Sequence, residues 1–91
     1  MRAAGRYFRN PAVTLAELEG QFFLVEPKVG QPYHLDTITS GIWRLLETPV
    51  AGPEIFEALA EAFPEEPPEQ IVDDSARALD DLLAAGFVRE G

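Results

Sequence analysis

The sequence predicts an α+β fold in which a three-stranded antiparallel sheet is followed by three helices. Two patterns support this prediction. Short apolar runs separated by turn residues extend to about residue 36, whereas apolar residues recur with helical spacing beyond it. Size agrees, because 91 residues, 46% of them hydrophobic, suffice for one small core but not for two.

The first two predicted strands form a hairpin. Residues 12–18 alternate weakly and end at Glu19-Gly20, which is a two-residue turn signal. The second strand, residues 21–26 (QFFLVE), is apolar on both faces, as is typical of a strand in the middle of a sheet.

The third predicted strand is short and lies at the edge of the sheet. It spans about residues 31–36, after a turn at residues 27–30. Pro32 lacks a backbone N–H, and a strand that starts with proline is confined to an edge. Asp36 or Thr37 can then cap the first helix, because both side chains accept hydrogen bonds from free amides.

Each predicted helix carries an apolar stripe. The stripe of the first helix is Ile38, Ile42, Leu45 and Leu46, and Trp43 lies beside that stripe. The second helix starts at Pro53, and its stripe is Ile55, Phe56, Leu59 and Phe63. The stripe of the third helix is Val72, Ser75, Leu79, Leu82 and Leu83. The third helix begins near Pro68 or Glu69 and ends at Gly86, a C-terminal glycine cap. Three strands followed by three helices have winged-helix character.

The ends of the chain differ from this core. Residues 1–11 show little periodicity, and we interpret them as a flexible N-terminal arm before a single domain that spans residues 12–91. Phe87 and Val88 are expected to fold back onto the core.

Composition and charge exclude several function classes. The net charge is −9, and residues 47–91 hold two basic and twelve acidic side chains. An acidic half repels phosphate, so we expect no nucleic-acid partner. No segment resembles a membrane span or a signal peptide, and cysteine is absent. We therefore expect a cytoplasmic protein without a membrane partner.

The sequence offers no catalytic constellation. His34 is the only histidine, and with Asp36 it provides too few ligands for a metal site. The pairs Asp73-Asp74 and Asp80-Asp81 point about 100° apart on a helix, so they are solvated rather than acid/base dyads. No glycine-rich phosphate loop is present. We expect neither an enzyme nor a cofactor or metal.

Two non-enzymatic classes share some of these features. A helix-turn-helix DNA-binding protein fits the helical order, but the third helix offers five carboxylates and Arg77 alone. An acyl carrier protein fits the size and acidity. Its prosthetic arm needs a serine at an exposed helix start, whereas Ser75 lies two turns into a helix on the apolar stripe.

Four segments between Phe22 and Val88 carry a family resemblance: FFLV, YHLDTITSGIWRLL, PEIFEALAEAF and DDSARALDDLLAAGFV. Together they resemble the PqqD-like family, the recognition elements for RiPP (ribosomally made, post-translationally modified peptide) precursors. Ser75 stands where the family usually has an aliphatic residue, and the first strand matches loosely.

The resemblance implies that a precursor leader peptide adds as a further strand to the third strand, beside the third helix. The backbone of the third strand would pair with the guest, and side chains of the third helix would select it. Asp74 and Asp81 would favour basic leader residues, and small Ala78 could leave room for a large one. The predicted peptide-binding residues are Gln31, Tyr33, His34, Leu35, Ile71, Asp74, Arg77, Ala78 and Asp81.

The partners follow from the same resemblance. The chain looks like a stand-alone protein that hands a leader peptide to a separate modifying enzyme or leader peptidase, as in lasso-peptide systems. The open edge strand would also permit a homodimer. The alternative is an acidic winged-helix interaction or regulatory module without leader specificity. The candidate residues are equally consistent with ordinary core (Ile71, Ala78) and ordinary surface (the carboxylates).

Overall fold

The computed structural model describes residues 5–28 and 30–91 and has the predicted α+β architecture, with three helices and antiparallel sheets. The strands are β1 (Arg6–Arg9), β2 (Thr14–Leu18), β3 (Gln21–Val25), β4 (Tyr33–Leu35), β5 (Val50–Ala51) and β6 (Val88–Glu90). The helices are α1 (Thr37–Leu45), α2 (Gly52–Ala62) and α3 (Pro68–Ala85). Two sheets form, in the orders β2-β3-β4 and β5-β1-β6.

The predicted hairpin and edge strand are present in the first sheet. Glu19 and Gly20 have φ of 54° and 80°, and they join Leu18 to its partner Gln21. Positive φ at both positions is what a two-residue type I′ turn requires. Strand β3 then pairs with β4 from Phe22↔Leu35 to Leu24↔Tyr33. One residue of the turn predicted at residues 27–30, Val29, lies outside the described residues.

The N-terminal segment differs from the prediction. We expected residues 1–11 to be a flexible arm, but Arg6–Arg9 is the central strand of the second sheet. Tyr7 pairs with Val50 on one side and with Glu90 on the other. Because both partners are distant in sequence, no local sequence pattern predicts this strand. The first four residues of the predicted arm lie outside the described part of the chain.

Two side chains anchor β1 to the helices. The guanidinium of Arg9 donates two hydrogen bonds to the carbonyl of Trp43, at 2.9 and 2.6 Å, and stacks 4.8 Å from the centre of its ring. The buried amide of Asn10 donates to the carbonyl of Gly86 at 2.9 Å. The second sheet is thereby attached to the end of α1 and to the end of α3.

One core joins the first sheet to all three helices. Its fully buried side chains include Leu24, Ile42, Leu46, Ile55 and Leu82. Trp43 is 4% exposed and also belongs to this core.

The stripe predicted for α3 is wrong at its first position. Ile71 is 2% exposed and belongs to the core, whereas Val72 is 37% exposed. Ile71 precedes Ser75 and Leu79 at intervals of four residues, which is one face of a helix. Val72 is about 100° away from that face.

Both predicted caps that position α1 and α3 are formed. The Asp36 carboxylate accepts the backbone N–H of Thr39 at 2.8 Å, which fixes the start of α1 directly after β4. Gly86 has φ of 83°, and the amides of Gly86 and Phe87 donate to Leu83 and Leu82. This pair of bonds is a Schellman motif, which ends α3 and turns the chain into β6.

Candidate peptide-binding groove

Strand β4 has one paired edge and one open edge. It pairs with β3, and no other strand of residues 5–28 and 30–91 pairs with it. Strand β1 lies in the other sheet, between β5 and β6. The open edge therefore presents backbone donors and acceptors to which an extended peptide can add.

A groove of about 250 Å³ runs beside this edge, between β4, the start of α1 and the outer face of α3. We call it the α3 groove. Its lining residues are Tyr33, His34, Asp36, Ile38, Thr39, Asp74, Arg77, Ala78 and Asp81.

Successive side chains of β4 point to opposite faces. Leu35 is 5% exposed and faces the core, and the half-buried Tyr33 packs edge-on against Phe87, with 5.1 Å between ring centroids. His34 is exposed on the other face, where its Nε2 lies 2.5 Å from Oε1 of Gln21 and its ring packs against Phe23. A guest strand would likewise turn alternate side chains towards α3 and towards His34.

The α3 groove is acidic. The carboxylate of Asp74 lies 3.6 Å from the guanidinium of Arg77 in an exposed pair within α3. Asp36 and Asp81 have no cationic partner among the described residues. Burial raises the pKa of the Tyr33 phenol, and the negative charges of Asp81 and Asp36, which line the same groove, raise it further.

The structure brings most of the candidate residues together. Tyr33, His34, Asp74, Arg77, Ala78 and Asp81 all line the α3 groove. Three candidates do not. Gln31 is exposed ahead of β4, and the side chains of Leu35 and Ile71 are in the core. The backbone of Leu35 still belongs to β4.

Sequence reasoning missed the contribution of α1. Asp36, Ile38 and Thr39 line the α3 groove although none was a candidate. One residue separates β4 from α1, so the first turn of that helix must lie beside the open edge. The predicted cap at Asp36 was the signal that could have identified these residues.

The serine that an acyl carrier protein would use for its prosthetic arm lies in a structural environment here. Ser75 is fully buried, and its hydroxyl donates to the carbonyl of Ile71 at 2.6 Å. This burial leaves no access for a prosthetic arm. Within the described chain, no cluster of three histidine or acidic side chains could hold a metal ion. No helix there combines the length and apolar character that crossing a membrane requires.

Comparisons with known proteins show the family and the fold of the chain. The model of a family described as coenzyme PQQ synthesis protein D (PqqD) matches residues 21–88. A solved structure described as TbiB1 in complex with the TbiA(beta) leader peptide is similar in fold, with a TM-score of 0.73 and 23% identity. The similarity covers 90% of this chain and 94% of that one. No curated protein matches the chain in sequence.

Proposed function

Because the chain belongs to the PqqD family, we propose that it binds the leader segment of a ribosomally made precursor peptide by β-augmentation at β4. The observation that carries this proposal is the open edge of β4 beside the α3 groove. The structurally similar TbiB1 was solved with a leader peptide, which supports the same kind of ligand here.

Each part of the α3 groove has a role in this binding. The backbone of β4 fixes the register of the guest strand, and Pro32 limits the ladder at its start because it has no N–H to donate. Guest side chains on the Tyr33 face enter the groove above Ala78. Asp36 and Asp81 favour a basic side chain close to the Tyr33 hydroxyl.

The chain acts without catalysis. In this proposal it captures a leader peptide in the cytoplasm and presents the precursor to a separate modifying enzyme or leader peptidase, as in lasso-peptide biosynthesis. The same open edge would pair with a second copy of the chain, so leader binding and homodimer formation would compete for β4.

A titration tests the proposal directly. A synthetic leader from the precursor peptide encoded nearest to this chain is added to the isotope-labelled protein, and amide shifts are followed by NMR. We expect saturable binding with shifts concentrated in β4, α3 and the first turn of α1. Binding that leaves those elements unshifted, or no binding to any leader of the same gene neighbourhood, would contradict the proposal. Sedimentation with and without peptide reports competition with a homodimer.

Filling the α3 groove supplies a matched test. Ala78→Trp places a large ring where the guest side chains would lie, so we expect leader affinity to fall by about tenfold or more. Ala84→Trp is the control, because Ala84 is exposed on the same helix and lines no cavity described here. Thermal unfolding of both variants verifies that they fold. Equal affinities for the two variants would contradict the assignment of the groove.

A further inference from the structure

A second and larger cavity lies on the other side of the start of α1. Its volume is about 590 Å³, compared with 250 Å³ for the α3 groove. The start of β3, the end of β4, one face of α1 and the end of α2 line it. The cavity has the size of clefts that bind ligands in proteins, and leader binding at β4 does not by itself fill it.

The cavity has an apolar floor and one arginine at its rim. Phe22, Leu35, Leu59 and Phe63 contribute apolar surface, with Ala62 exposed at the edge. Arg44, in the last turn of α1, is exposed at the rim. Its guanidinium has no hydrogen-bond or ion-pair partner within residues 5–28 and 30–91. This combination suits an aliphatic or aromatic side chain next to a carboxylate.

The cavity adjoins the α3 groove. His34 and Asp36 line both, so the two spaces lie on either side of the junction between β4 and α1. A peptide that pairs with β4 and continues beyond its Asp36 end would reach this junction and find the second cavity next to it. A separate ligand would have to share these two residues with the guest strand.

We propose that this cavity is a second subsite for the same precursor peptide. It takes an aliphatic or aromatic side chain with an acidic neighbour, from the segment that adjoins the augmenting strand. The inference rests on the proposed function, because the strand at β4 delivers that segment to the cavity. The peptide then contacts two sites with opposite charge preference: the α3 groove favours a basic peptide side chain, and the cavity at Arg44 favours an acidic one.

Nested synthetic peptides test the subsite. One covers only the leader residues that shift β4 in the NMR titration, and two others extend it at either end. We expect one extension to raise affinity about tenfold, through burial of one large apolar side chain. That extension should shift the amides of Arg44 and Ala62. If neither extension raises affinity, the second subsite is wrong although leader binding at β4 stands; if the short peptide does not bind, the proposed function itself fails.

Two variants separate the contributions within the cavity. Ala62→Trp fills the cavity and should abolish the gain in affinity that the extension provides. The affinity of the short peptide should stay unchanged, and that unchanged affinity shows that the variant is folded. Ala84→Trp should change neither affinity. Arg44→Gln should weaken only the extended peptide, and only when its acidic residue is present, whereas Arg89→Gln on β6 should have no such effect. A full gain from the extension in Ala62→Trp would overturn the proposal, and the same would follow if Arg44→Gln and Arg89→Gln were equivalent.

Discussion

At the scale of single residues, the α3 groove holds two carboxylates, those of Asp36 and Asp81, that have no cationic partner among the described residues. Asp36 is the N-cap of α1, Asp81 belongs to α3, and the charges of both raise the pKa of the Tyr33 phenol. The neighbouring carboxylate of Asp80 is exposed but lines no part of the groove. Adjacent aspartates on one helix thus differ in position because they point in different directions, and only Asp81 would contact the proposed peptide.

Asp81→Asn should therefore weaken binding of a leader peptide that carries a lysine or arginine near Tyr33. The expected loss is about twofold to fivefold, because exposed ion pairs contribute roughly 0.2–1 kcal/mol. Calorimetric titration measures it, with Asp80→Asn as the control for overall charge. An equal loss in both variants, or the same loss for a peptide with glutamine in place of the basic residue, would show that Asp81 makes no specific contact.

Tyr33 links the stability of the fold to pH. Its pKa is raised by burial first and then by Asp81 and Asp36, so the folded chain favours the neutral phenol. That contribution to stability is fully present below pH 10.0, the ordinary pKa of tyrosine, and is lost as the pH rises through the raised folded value. Relative to Tyr33→Phe, we expect the free energy of unfolding of the unaltered chain to decline on this alkaline side. Urea titrations over a pH series measure it, and parallel profiles would contradict the assignment.

At the scale of elements, β1 holds the second sheet onto the helices. Arg9 donates to the carbonyl of Trp43, in the last turn of α1, and Asn10 donates to the carbonyl of Gly86, the C-cap of α3. The groove lies between β4 and the same two helices. A strand that contributes nothing to the groove surface thereby restrains both helices that form its wall.

Arg9→Ala should reduce the free energy of unfolding by about 2 kcal/mol, because it removes two charge-assisted hydrogen bonds and a stacked guanidinium. Arg6→Ala on the same strand, where the side chain is exposed, should change it by less than about 0.5 kcal/mol. Urea denaturation followed by the fluorescence of Trp43, the chain's one tryptophan, compares the variants. Equal stabilities would show that β1 is held by its backbone alone.

These elements also show how far sequence reasoning extends. The sheet β2-β3-β4, the three helices and the caps at Asp36 and Gly86 follow from local sequence signals, and the structure contains them. Strand β1 could not be predicted in this way, since it exists only through partners in β5 and β6 that are remote in sequence. The position of Ile71 depends on the rotation of α3 about its axis, and an error of one residue moves a side chain from groove to core.

At the scale of the whole molecule, the net charge of −9 is concentrated in the second half of the sequence, where α2 and α3 lie. Mutual repulsion among these carboxylates opposes the compact state, and salt screens it. The same negative charges would attract a basic peptide, and salt would weaken that attraction.

Added sodium chloride should therefore change stability and binding in opposite directions. We expect the folded state to gain roughly 1 kcal/mol, or about 4–8 °C in the unfolding midpoint of a domain of this size. Affinity for a basic leader should fall over the same range, whereas affinity for its neutral analogue should not. Calorimetry of unfolding and of binding in one salt series measures both, and a stability that falls with salt would contradict the role of repulsion.

The pairing of β1 with β6 has a practical consequence. The backbones of Arg6 and Gly91 exchange two hydrogen bonds, at 3.2 and 2.9 Å, so these positions are neighbours in space. No residue that lines the α3 groove belongs to this sheet. A short linker can therefore join them in a circular permutant whose new ends open in the exposed connector between α2 and α3. Such a rearranged chain would keep β4 and its groove intact, and it would offer attachment points for a reporter at the end of α2 and at the start of α3.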